Sequence, residues 1–92
     1  MYFNFDPQKN RELIQLRGIS FEEVIAVLAS KGPIDIIKHY NDQKYSHQRI
    51  YVVEIHSYIY LVPFVEQESE IFLKTIFPSR KATKKYLDHN ER

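Results

Sequence analysis

The densest chemistry in this sequence lies between residues 74 and 85, where Lys74, Arg80, Lys81, Lys84 and Lys85 occur with no acidic residue among them. On a helix, positions 80 and 84, and 81 and 85, are neighbours one turn apart, so the charges form two adjacent rows. Arg80 would stand at the helix start, where its guanidinium fork joins unpaired backbone N–H groups, a combination suited to phosphate oxygens. A run of lysines is also what a solvated helix face contains. Arg80 is therefore assigned to phosphate and the lysines to a supporting field. Arg49 opens the stretch "RIYVVEI" and shares its parity with Tyr51, Val53 and Ile55. If that parity faces a core, Arg49 emerges at the rim of a sheet, either held in a cleft or reaching solvent. His47, two residues earlier, is of the residue type that exchanges a proton near neutral pH and could serve as general acid or base.

Other chemistries are missing. His39, His47, His56 and His89 are too widely spaced for H-x-H or H-E-x-x-H geometry, and the chain has no cysteine, so no metal set is expected. There is no G-x-x-x-x-G-K-[ST], G-x-G-x-x-G or G-x-S-x-G, and only two glycines in all. Nucleotide-cofactor enzymes and serine hydrolases are thereby set aside, and no cofactor is expected.

The elements that must position these residues follow from local signals. "YFNF" reads as a short strand, and Asp6-Pro7 as a helix start that carries the chain to about Leu16, with Gly18 to stop it. Along this helix Lys9, Leu13 and Leu16 fall at i, i+4 and i+7. Ser20 and Glu23 make a capping box for a second helix with Val24, Val27 and Leu28 as its stripe. "IDII" is a short strand, and "KHYNDQKYSHQ" a polar loop. "RIYVVEIH", "YIYLVPFV" and "EIFLKTIF" then form three strands whose short connections force an antiparallel meander. Pro63, inside a run apolar on both parities, calls for a bulge or an edge. "SRKATKKYLDHNER" reads as a last helix, with Ala82, Tyr86 and His89 toward the sheet. The order β-α-α-β-β-β-β-α predicts an α+β domain, a small antiparallel sheet packed with helices.

At 92 residues the chain has room for one domain, spanning 1–92, with one modest core and a surface cleft. The net charge of +1 is weak, but residues 1–46 balance six basic against six acidic residues while the late stretch is purely basic. The N-terminus lacks the pattern of a secretory signal, and "YIYLVPFV" is far shorter than the roughly 20 residues that span a bilayer. A cytoplasmic protein without membrane contact is the expectation.

Three segments together resemble one family. "FDPQKNRELIQLRGISFEEV", 5–24, resembles the N-terminal signature of BrnT-type toxins of type II toxin–antitoxin systems, F-D-x-x-K, then H-G, then S-F-E-E-A, at matching spacing from Asp6 through Gly18 to Glu23. "KTIFPSRKATKKYL", 74–87, resembles that family's C-terminal strand and S-A-R-x-A-[TN], with Arg80 on the arginine and Ala82 on the alanine. "HQRIYVVEI" resembles its E-x-R-y strand start, with Arg49 on the arginine. The sequence departs where the family's Asn, Lys and His fall on Leu13, Leu16 and Arg17, and where His47 stands in place of a frequent Glu.

The resemblance implies a RelE-like fold, metal-independent RNA cleavage that inhibits translation, and a hetero-oligomer with a cognate antitoxin, usually a ribbon-helix-helix DNA-binding protein. In that reading Arg80 and Arg49 stabilise charge on a phosphorane, with Lys9 and Lys74 assisting and His47 as general acid or base. Lys81, Lys84 and Lys85 hold flanking backbone, and Tyr86 either stacks a base or sits in the core. Two other classes stay open: a non-catalytic nucleic-acid-binding module, and a partner-docking module that uses aromatics such as Tyr40 and Tyr45.

Overall fold

Each helix boundary has a local cause. Asp6 accepts a hydrogen bond from the Gln8 N–H at 3.0 Å, Pro7 occupies the first helical position, and α1 runs over Pro7–Arg17. Gly18 ends it at φ 67°, the left-handed conformation, with its N–H donating to Ile14 O. The α2 helix (Phe21–Ser30) starts on the reciprocal Ser20–Glu23 box. Asn10 then joins the two helices: its Oδ1 accepts the Phe21 N–H at 2.7 Å, and its Nδ2 donates to Glu22 Oε1 at 2.8 Å.

The computed structural model describes residues 2–41 and 43–87. With β1 (Tyr2–Phe5) ahead of the helices, the chain continues as β2 (Asp35–Lys38), β3 (Gln48–Ile55), β4 (Tyr58–Gln67), β5 (Glu70–Leu73), β6 (Phe77–Pro78) and α3 (Arg80–Leu87). The α+β class is as expected. The sheet order is β1-β5-β4-β3-β2, with β6 paired to β4. The pairings among β2 to β6 are all antiparallel, but β1 lies parallel to β5. Only short connections impose antiparallel pairing; β1 reaches the sheet edge from far off in sequence and is free of that constraint.

The run "EIFLKTIF" is not one strand, as its pattern suggested. It breaks into β5 and β6 around Lys74–Ile76, opposite Pro63. Lys74 N–H donates to Pro63 O at 2.8 Å, and on that side of β4 Pro63 has no N–H to return. The ladder parts there, and Ile76 turns into the core. The β3–β4 turn places His56 at φ 56° and Ser57 at φ 62°, the signs that a two-residue hairpin turn of type I′ requires.

The two faces of the sheet are distinct. Tyr51, Val53, Ile55, Val62, Phe64, Ile71 and Leu73 pack with Leu13, Phe21 and Val24 of α1 and α2. Ile50, Val52 and Ile59 are buried on the opposite parity, the face that α3 crosses. Leu16, placed near Leu13 by spacing, is instead 80% exposed, because α1 turns toward the core the line through Asn10 and Leu13. Among the described residues, no helix is long and apolar enough to cross a membrane. His89 lies outside the described residues.

Candidate functional site

On the α3 face, the helix leaves part of the sheet uncovered. Ser79 fixes where the helix begins: its N–H donates to Ile59 O, and its Oγ accepts the Ala82 N–H at 3.0 Å. Thr83 Oγ1 accepts the Ile59 N–H at 2.9 Å, and the Tyr86 hydroxyl donates to Asp35 Oδ2 at 2.9 Å. These bonds stretch α3 from β4 across to β2. Beside it lies a groove of about 290 Å³, floored by Ile50, Val52 and Leu61 and walled by Lys81, Lys85 and Tyr86. Ile37, Lys38 and Tyr40 form its opposite lip, and Tyr40 is 81% exposed.

Of the two lysine rows, Lys81 and Lys85 line this groove, while Arg80 and Lys84 are exposed outside its lining. Lys85 Nζ sits 5.2 Å from the Tyr86 ring centroid. Lys74 lies over Phe72 at 5.4 Å, on the sheet row that runs Ile37, Ile50, Pro63. It extends the cationic border beyond β4. Lys9 is half-buried on α1, against the other face.

Arg49 stands at the start of β3 on the α1/α2 face, at the rim as its parity requires. Its Nη2 donates to Glu66 Oε1 at 2.9 Å, and its guanidinium lies 5.3 Å from the Phe64 ring centroid. Phe64 stacks on Tyr51 at 3.9 Å. Burial first, then the negative charge of Glu66, pushes the Tyr51 phenol up; Arg49 pulls it partly back. Lys38 pairs with Arg49 across the ladder, so their backbones are one strand spacing, about 5 Å, apart, but the guanidinium lies on the face of the sheet opposite the groove. His47 is exposed in the turn just before β3.

Arg49 and Arg80, read together from sequence as two contacts to one phosphate, do not share a cleft. Arg49 pairs with Phe64, whereas α3 begins beside Ile59, five residues earlier on β4, or about 17 Å at ~3.4 Å per residue. At the start of α3, Ser79 already takes the Ala82 N–H, one of the donors assigned to phosphate beside Arg80. Tyr86 is held in the groove wall by Asp35, which together with burial keeps its phenol protonated to higher pH. Glu66 and Lys38 were missed: nothing in the linear pattern joins either to Arg49, and only the strand register does.

Two other features complete the surface. His39, assigned to the polar loop, is buried; its Nδ1 accepts the Asn41 N–H at 3.1 Å, and its ring contacts Tyr40 and Tyr45. A larger hollow of about 510 Å³, lined by Tyr2, Gln67, Glu68, Ser69 and Glu70, carries acidic side chains and no cation. Among the described residues, no group of three or more His, Asp or Glu gathers as a metal-ligand set.

No family model matches the chain, and no curated protein does. The fold is similar to the solution structure of the conserved hypothetical protein HP0894 from Helicobacter pylori, with a TM-score of 0.52 and 21% identity over 85% of this chain and 93% of that one. The likeness is one of fold.

Proposed function

We propose that this protein is a metal-independent endoribonuclease, the toxin of a toxin–antitoxin pair, that takes single-stranded RNA along the α3 groove and around the β2 edge to Arg49. The observation that carries the reading is a lysine row over an apolar groove with the exposed Tyr40 ring on its lip, at the β2 edge around which Arg49 lies on the other face. Lys81 and Lys85 suit backbone phosphates, and exposed Tyr40 offers a ring on which a base can stack. The BrnT-like motifs, which include Arg49, point the same way.

The chemistry is attack of a ribose 2′-OH on the adjacent phosphate, leaving a cyclic phosphate and a 5′-OH. Arg49 is built to stabilise the phosphorane: Phe64 and Glu66 restrain its side chain, yet about half of it is open to solvent. Arg80 and Lys84 contribute long-range charge to strands that overhang α3. The cognate antitoxin would neutralise the enzyme as its partner in a hetero-oligomer.

The test is cleavage of cellular RNA in EDTA, with and without translating ribosomes, beside Arg49→Ala and Lys81→Ala/Lys85→Ala variants. Cyclic-phosphate products from the wild type, lost in Arg49→Ala, are the expected result. The Arg49–Glu66 pair is half-exposed and worth under about 1 kcal/mol, so the Arg49 variant stays folded. Intact RNA under both conditions overturns the nuclease reading. In that case the groove's exposed Tyr40 and Ile37 favour a binding or docking module.

A further inference from the structure

No carboxylate lies within four residues of Arg49 in the chain, and the sheet brings one to it from another strand. Ladder pairing between β3 and β4 ends at Gln48↔Val65, and Glu66 follows directly on β4. Glu66 shares the Arg49 face, since Arg49 pairs with Phe64 and Glu66 is two residues along the same strand. Its Oε1 is held by Arg49 Nη2 at 2.9 Å, and its side chain is 39% exposed. On β5 its ladder neighbour is Ile71, which offers no competing donor.

Resting on the ribonuclease reading, we infer that Glu66 is the general base of this site. A phosphate bound by Arg49 lies within one hydrogen-bond length of the guanidinium. Glu66, on that same guanidinium, then faces the neighbouring ribose. The carboxylate takes the 2′-OH proton, the 2′-oxygen bonds to phosphorus, and the bond from phosphorus to the 5′-oxygen breaks. The leaving 5′-oxygen takes a proton from the water that reaches this half-exposed corner. Arg49 has two roles: its 2.9 Å contact orients the carboxylate, and it stabilises the charge that develops on the phosphorane. The base thus comes from β4 instead of from the residue two before the arginine.

Glu66→Gln separates a base from a mere support. Glutamine still offers an oxygen to Arg49 but cannot accept the proton, so cleavage should fall at least about 100-fold. Affinity for an uncleavable 2′-deoxy oligonucleotide should stay within about threefold, which also reports a folded protein. Glu66→Ala should be equally slow and should recover part of its rate in added formate. Retention of more than about a third of the wild-type rate by Glu66→Gln overturns the assignment and leaves the nuclease reading standing. An equal loss of rate and of oligonucleotide affinity, without formate rescue, makes Glu66 a positioning residue and also overturns it. Absence of cleavage by the wild-type chain, on free RNA and on ribosomes, overturns the reading and the base together.

Discussion

At the scale of single residues, one carboxylate on each side of the sheet fixes a side chain of the candidate site. Glu66 fixes Arg49 on the α1/α2 face, and Asp35 fixes Tyr86 on the other, while its second oxygen accepts the Ile36 N–H. The Asp35 contact leaves a signature in pH. The hydrogen bond to Asp35, then burial, raises the Tyr86 phenol, whereas an unfolded chain ionises its tyrosines near pH 10. The stability this contact supplies is therefore whole below about pH 10 and is lost as pH rises through the raised folded value. Tyr51, also raised, adds to the same decline. Urea denaturation between about pH 9 and 11 should thus show falling stability, with a smaller fall in Tyr86→Phe. An equal fall in both proteins would mean that α3 is not pinned through this hydroxyl.

At the scale of elements, the junction of α1 and α2 rests on Asn10. With Asn10→Ala, the Phe21 N–H, buried at the start of α2, loses its acceptor, and Glu22 loses the donor that chiefly lowers its carboxyl. A cost of about 1–3 kcal/mol is expected from the orphaned N–H, measured as a lower urea midpoint at unchanged slope. The wild type should also lose the Glu22 contribution as pH falls through its lowered value, and the variant should lack that limb. Most of these elements were readable in the linear chain. Asp6-Pro7, Gly18 and the Ser20–Glu23 box act over a few residues, so their effect does not wait on distant parts of the fold. The break between β5 and β6 was not readable, because the missing donor belongs to Pro63 on a different strand.

At the scale of the molecule, a net charge of +1 conceals a division of surface. The cations Lys38, Lys81 and Lys85 border one groove, while Glu68 and Glu70 line a hollow at the β4–β5 turn. A charged groove predicts salt-dependent binding. Log affinity for single-stranded RNA should fall linearly with log salt, and Lys81→Ala/Lys85→Ala should flatten the slope by about 1.4, two contacts at roughly 0.7 each. Lys84→Ala, outside the groove, should change the slope by less than half of one contact. Equal effects from Lys84 and from the groove lysines would show a diffuse field instead of a track.

The sequence by itself determined the α+β class, the helix boundaries, the rim position of Arg49 and the two lysine rows on α3. Each of these follows from residue type at short spacing, where the partners are near neighbours in the chain. Only the tertiary structure decided that one lysine row borders a groove, that Arg80 and Arg49 lie apart, and that Glu66 meets Arg49. Those facts depend on strand register and on the direction in which α3 crosses the sheet. Register brings residues 17 positions apart, Arg49 and Glu66, to 2.9 Å, and no local pattern encodes such a meeting.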